Sequence, residues 1–562
     1  MASSLQPIAI LLTLLVRTTL SVVAVVAAIV IASLIYFRYS RNKTYHLMKA
    51  FPGTFEEIPL ARHLRLHWSL LRSAKDTGLS YGVFLYQAMQ SMAVIWQQRK
   101  VGAIASYVAG RPSLILFRAD HVEELLMHPT NLRKTFGYDF TAPWLGRSIL
   151  LATGDAWRAR RKLLTPAFHF RILEEFNATM NTHARTFAHR LLSAEHGGRI
   201  DDLVPLIAAL TLDIVCETAM GTSMHCQTSD TGRQYLRGIG RLGELVIARV
   251  QTLHHWSDFV YRRSRAGREF YAILSSVHGF TWKVIEDRKT ELLTKRSQDA
   301  PDSSDSSQAD AAGPSAATRR RPTDFLDLML QRHLDGEMTL DDVRSEADTF
   351  MFAGHDTTSM ALTHVIYLIG LHADVQSKLQ QEIDEVIGEL DLDNDDILPE
   401  HVRSLKYMDA VIKESQRIYP SVPIIGRVLD YDMQIDGKTV PRGTDVVIAL
   451  FGLHRDPDVF PRPDEFLPER FFTESAKRSP FAFVPFSGGP RNCIGQRFAL
   501  LEEKITLCHL LARYNWRSMN PRDEMQHESA IVLRPKIKIG MQFRLRTGKH
   551  TRSGLKRAAK NT

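Results

Sequence analysis

The chain has 562 residues, 44% of them hydrophobic and 24% charged, a balance that supplies a large buried core and excludes a disordered polypeptide. Its four cysteines, Cys216, Cys226, Cys493 and Cys508, are too few and too scattered for a disulfide framework, and no CxxC pair suggests structural zinc. The formal charge of +9 does not mark a nucleic-acid binder, because Arg544, Arg546, Lys549, Arg552, Lys556, Arg557 and Lys560 carry seven of it with no acid among them, which leaves +2 for everything before them.

From Leu20 to Phe37 runs LSVVAVVAAIVIASLIYF, uncharged and apolar. As a helix it reaches about 27 Å, near the thickness of a bilayer core. Arg38, Arg41 and Lys43 follow it, whereas no charged side chain precedes Arg17, so the positive-inside rule leaves the remainder of the chain in the cytosol. The apolar run ends in bulky residues and then bases, with no small-residue cleavage site, so residues 1–43 are expected to be an uncleaved single-pass anchor. Residues 44–546 are expected to form one large domain, mainly α with a minor β-sheet, and 547–562 a basic disordered tail.

Within that domain, residues 297–322 read SQDAPDSSDSSQADAAGPSAATRRRP, a low-complexity stretch expected to be a surface insert. Thr339-Leu-Asp-Asp342 then offers a reciprocal cap for a helix running to about His372. The middle of this helix, DTFMFAGHDTTS, is apolar on nearly every face, as for a helix passing through a core. A mid-helix glycine costs about 1 kcal/mol, so Gly354 implies a close backbone approach, either to a cofactor or to a crossing helix.

The segment KYMDAVIKESQRIYP has apolar residues at helical spacing, with Glu414 and Arg417 on one face and Pro420 as its stop. Val446-Val447-Ile448, beside the turn DGKTVPRG, reads as a strand. Farther on, PFSGGPRNCIGQRFALLEEK places Cys493 at the end of a Gly- and Pro-rich loop and the start of a helix, where free amides and the helix dipole are expected to favour its thiolate. A lone cysteine is ordinarily a small core hydrophobe. Here the spacing of Phe486, Gly489, Arg491, Cys493 and Gly495 matches F-x-x-G-x-R-x-C-x-G at every defined position.

That loop resembles the haem loop of the cytochrome P450 family. The resemblance implies the fold of that family, with haem b held through a Cys493–iron thiolate bond and Arg491 paired with a haem propionate. It further implies that Trp157 and Arg161 in W-x-x-x-R, and Arg427 in PSVPIIGR, contact propionates. Glu414 and Arg417, with Arg470 of Pro468-Glu469-Arg470-Phe471, resemble the Glu-Arg-Arg network of the family and are expected to be structural. The AGHDTT motif resembles the stretch that crosses the distal haem face, so Asp356 and Thr357 are the expected acid–alcohol pair that delivers protons during O–O cleavage. His355 is expected to point away. Arg158, Arg160, Lys162 and Arg497 lie near these motifs as candidate contacts for an acidic redox partner.

The motif set looks most like the animal family-4 branch, whose members hydroxylate fatty acids at or near the terminal carbon. The resemblance therefore implies NADPH–cytochrome P450 reductase as electron donor, cytochrome b5 as a second partner, and residence in the endoplasmic reticulum membrane. Many members of this branch carry Glu where this chain has Ala353, and that carboxylate forms an ester with the haem. A methyl side chain has no oxygen to do so, and the expected haem is non-covalent. Two competing readings stay open: a haem-thiolate isomerase or dehydratase, against which the Asp356–Thr357 pair argues, and a non-catalytic haem-binding sensor.

Overall fold

A computed structural model describes residues 43–53, 79–108, 111–191, 198–298, 325–473 and 478–546, with scattered positions between 25 and 77. Most of the expected span at 20–37, the insert from 299 onward and the tail at 547–562 lie outside the described residues. Among the described residues no helix is long and apolar enough to cross a membrane. The helix before the insert reaches Gln298, so the first two residues assigned to that insert are helical.

Five helices position the site: α1 (Gly154–Leu164), α2 (Val204–Met220), α3 (Leu340–Leu371), α4 (Lys406–Ile418) and α5 (Gln496–Arg513). At 32 residues, α3 spans about 48 Å. It begins at Thr339, whose hydroxyl accepts the Asp342 amide at 3.1 Å while the Asp342 carboxylate accepts the Thr339 amide at 3.2 Å. Its middle is buried on nearly every side, as the sequence pattern requires. The close approach demanded by Gly354 is to α2: a Cβ there would fall 2.7 Å from a Val215 methyl. Helix α2, VPLIAALTLDIVCETAM, is likewise apolar all round, and Gly221 at its end takes φ +64°, the left-handed conformation that glycine adopts without steric cost.

The principal sheet has four strands: β1 (Ala103–Val108), β2 (Arg111–Leu116), β3 (Ile424–Val428) and β4 (Asp445–Ala449). They lie in the order β1-β2-β4-β3, with β2 and β4 parallel and the other pairs antiparallel. The strand expected at Val446–Ile448 is thus a central one, buried among Leu114, Leu116, Ile425 and Leu450. The larger apolar core joins α3, α4 and α5, with Ile366, Leu362, Met408, Val411, Leu507 and Leu510 at 0% exposure. Arg544 sits in a strand, Met541–Leu545, and Arg546 bonds Asp384 at 2.7 Å, so these two bases belong to the folded body.

Candidate functional site

The Cys493 loop is shaped by backbone constraints. Gly489 has φ +66°, and a Cβ there would lie 2.1 Å from the Leu126 carbonyl oxygen. Ser487 is left-handed too, at φ +62°, a costly conformation for a non-glycine residue that the surrounding loop has to hold. The Cys493 amide donates to the Phe486 carbonyl at 2.9 Å, which closes the loop on itself. Helix α5 starts at Gln496 with Gly495 as its cap, so Cys493 lies two residues before the cap and not within the first turn.

Local amides and burial act on this thiol in opposite directions. Burial raises the Cys493 thiol above its ordinary pKa, and it outweighs the Gly495 amide and the charges of Arg161 and Lys134, which act in the opposite direction. The side chain opens onto a cavity, so it is accessible while lying deep within the protein.

The cavity holds about 320 Å³. Cys493, Phe486 and Gly495 line one side, and Ala353, Gly354 and Thr357 of α3 line another. Trp157, Arg161 and Arg491 share a third wall with Lys134 and Tyr138. A separate surface hollow of about 420 Å³ is lined by Arg241 and Glu269, which are paired with each other, and it contains none of these groups.

The third wall is strongly cationic. Arg161 binds the Asn492 carbonyl at 2.7 Å and its side-chain oxygen at 2.8 Å, next to Cys493. The Arg491 guanidinium stacks over Trp157 at 4.9 Å and donates to the carbonyls of Ile149, Leu150 and Ala152. Its Nε is buried with no partner. Burial, then the Arg427 charge, lowers Arg491 to about 9. Burial, followed by Arg427 and Arg491, drives Lys134 well below the ordinary lysine range. Arg427 is adjacent to this wall without lining the cavity, its Nη2 donating to the Ser487 hydroxyl at 3.4 Å. Like charges gathered in a low-dielectric wall, with an unpartnered guanidinium nitrogen among them, need an anion. A planar cofactor carrying two carboxylates satisfies that need, so these residues fit haem b.

Sequence reasoning missed Lys134 and Tyr138, because NLRKTFGYDF has no period or motif that sets one cation apart from its neighbours. Gly489 does not line the cavity and acts through the backbone, whereas Gly495 lines it, and a Cβ there would meet nothing closer than Phe168 at 3.8 Å.

Glu414, Arg417 and Arg470 come together in full burial. Arg417 donates twice to the Glu414 carboxylate at 2.8 Å, and Arg470 donates to it at 3.0 Å. The two guanidiniums also bind carbonyls of Pro461, Arg462, Pro463 and Glu465. Arg417 holds the His454 carbonyl at 3.0 Å, and the His454 ring accepts the Val484 amide at 3.0 Å, just ahead of the Cys493 loop. Burial, reinforced by Arg417 and Arg455, lowers His454 to about 3, so the ring is the neutral acceptor this bond requires. The trio touches no cavity surface and acts through this chain of bonds.

On α3 the acid and alcohol separate. Thr357 lines the cavity, its hydroxyl donating to the Ala353 carbonyl at 2.6 Å. Asp356 faces away from the cavity and is ion-paired with Arg534. Adjacent helix positions point about 100° apart, so one cavity face cannot carry both side chains. His355 bonds the Met351 carbonyl at 2.6 Å and is buried away from the cavity, as expected. Of the candidate docking bases, Arg158 is an exposed charge beside Asp155 at 2.7 Å, whereas Arg160 is half-buried against Asp342 and Glu346. Lys162 and Arg497 are exposed.

The family model described as Cytochrome P450 matches residues 79–543. Cytochrome P450 4V2 of Rattus norvegicus is 35% identical over 529 residues, 94% of this chain and 95% of that protein. Cytochrome P450 4c3 of Drosophila melanogaster is 36% identical over 463 residues, 80% of this chain and 83% of that one. Among solved structures, a retinoic acid-bound cyanobacterial CYP120A1 superposes with a TM-score of 0.64 at 22% identity, covering 80% of this chain and 93% of that one.

Proposed function

The chain belongs to the cytochrome P450 family and is a haem monooxygenase with non-covalent haem b, and on that footing we propose that Cys493 is its axial ligand and a long-chain fatty acid its substrate, hydroxylated at or near the terminal carbon. Membership brings with it a redox partner and a hydrophobic substrate. The proposed donor is NADPH–cytochrome P450 reductase, with cytochrome b5 as a second partner and residues 1–43 as a single-pass anchor in the endoplasmic reticulum membrane. The observation that carries the ligand assignment is the Cys493 side chain opening onto the cavity between a cationic wall and the Ala353–Thr357 face.

When bound, thiolate-ligated haem supplies the activation of O2 and the transfer of one oxygen atom to a C–H bond, with the other leaving as water. The residues of this chain do the rest. Arg491, Arg161 and Lys134 would pair with the propionates, and Trp157 packs against the Arg491 guanidinium. Arg427 acts through Ser487. The Phe486 carbonyl fixes the Cys493 backbone, and the Gly495 amide donates to its sulfur. Thr357 lines the same cavity as Cys493, with its hydroxyl resting on the Ala353 carbonyl. Asp356, the proposed acid partner of Thr357, is ion-paired with Arg534 on the side of the helix away from the cavity and would have to leave that pair to resupply the Thr357 proton. Phe168, Phe350, Ile425 and Val422 give the remaining wall its apolar character, which suits an alkyl chain.

The test is turnover of a fatty acid panel in the presence of NADPH and reductase, with product positions mapped. Products hydroxylated at or next to the terminal carbon support the proposal. Reductase-independent rearrangement of a peroxide would instead favour the isomerase reading.

A further inference from the structure

We propose that Glu346 is a positioning residue for the haem pocket, clamping the turn at 148–152 so that this turn aims Arg491 into the cavity. The proposal rests on the haem-site reading above and adds a residue that touches neither cofactor nor substrate.

Glu346 lies on α3 eight residues before Gly354 and is 0% exposed. Its two carboxylate oxygens accept the Ile149 amide at 2.9 and 3.1 Å, and one also accepts Arg160 Nη1 at 3.1 Å. The same residue of the turn then faces Arg491: the Ile149 and Leu150 carbonyls each accept its Nη1 at 3.1 Å, and the Ala152 carbonyl accepts its Nη2. With both Nη groups occupied, Arg491 Nε is left buried and unpartnered. Ile149 is therefore held at its amide by a carboxylate and holds Arg491 at its carbonyl.

The turn is docked on α3 at this point by a second feature. Gly146 takes φ +56°, and a Cβ there would fall 2.0 Å from the Ser345 hydroxyl, adjacent to Glu346. The turn closes through the Ala152 amide donating to the Ser148 carbonyl at 2.8 Å. Removing the carboxylate leaves the Ile149 amide buried without an acceptor, so the turn has to shift to reach another, and its carbonyls move with it.

Glu346 is also poised to change state. Burial pushes its carboxyl up to about 7, against the Ile149 amide and Arg160. The charged groups facing it are Arg160 from α1 and Asp342 on its own helix, with Arg491 one peptide unit beyond. Protonation removes the ion pair with Arg160 and weakens the clamp.

The measurement is the rate of haem transfer from the full-length holoprotein to excess apomyoglobin, for wild type, Glu346→Ala, Arg491→Ala and the double variant. Each single variant is expected to lose haem roughly ten- to a hundredfold faster, and the double variant no faster than Arg491→Ala alone, because the two act through one turn. Additive effects, or an unchanged rate in Glu346→Ala, overturn the inference. An unchanged rate in Arg491→Ala overturns the propionate reading instead. Should Glu346→Ala fail to take up haem, Glu346→Gln decides: wild-type haem loss is expected to accelerate as pH falls through about 7, whereas the Gln variant is flat across that range. The same pH profile in both proteins contradicts the proposal.

Discussion

Replacing Glu414 by Ala removes the carboxylate that lies between two guanidiniums that are 0% and 5% exposed. Four hydrogen bonds go with it: two from Arg417, one from Arg470 and one from the Leu467 amide at 2.9 Å. Breaking a buried ion pair by deleting one partner costs about 3–5 kcal/mol. The carbonyls that remain around both arginines place this case near the lower end, at about 3 kcal/mol. That is a large share of a net stability of roughly 5–15 kcal/mol. The damage is directed, because Arg417 also holds His454 and through it the Val484 amide at the head of the Cys493 loop. Glu414→Ala is therefore expected to lower both the thermal midpoint and the ratio of haem to polypeptide, assayed by calorimetry and by alkaline pyridine haemochrome. Glu414→Gln, which keeps one acceptor, is expected to fall in between. A Glu414→Ala protein with full haem content and an unchanged midpoint, but no turnover, would refute the structural role and make this residue part of the chemistry.

Thr357→Ala is expected to retain haem while diverting reducing equivalents to peroxide, because the cavity loses the hydroxyl that now rests on the Ala353 carbonyl; the ratio of product to NADPH consumed measures it, and unchanged coupling would show that another group delivers protons. Ala353 lines the cavity, so haem of the native chain is expected to be fully extractable by acid and organic solvent, whereas Ala353→Glu acquires some covalent haem by denaturing mass spectrometry. Absence of any such adduct would mean that position 353 does not face the ring edge. Deleting residues 1–43 is expected to release most of the protein from membranes, checked by carbonate washing and sedimentation, with full retention contradicting the anchor assignment.

What the sequence conveyed and what it did not divide along physical lines. The long helix was legible from Thr339 to its end because capping chemistry and an all-round apolar pattern are local signals, and the Cys493 loop because fixed spacing constrains few alternatives. Gly354 posed a choice between cofactor and crossing helix, and the structure supplies both: Val215 on one side and the cavity on the other. Tertiary context governed the rest. The burial that raises the Cys493 thiol was not legible, since amide effects are local while desolvation depends on the whole fold. The turn of Asp356 toward Arg534 was hidden because Arg534 lies 178 residues away. Lys134, Glu346 and His454 were missed for the same reason, each acquiring its role from a partner on a different element.

The central claim is that the Cys493 sulfur ligates haem iron, and the reduced carbon-monoxide difference spectrum tests it most directly. Wild-type protein is expected to give the long-wavelength Soret band characteristic of a thiolate ligand. Cys493→Ser is expected to lose that band together with turnover, because a neutral hydroxyl cannot supply the same charge to iron. A Cys493→Ser protein that keeps the thiolate band would contradict the account.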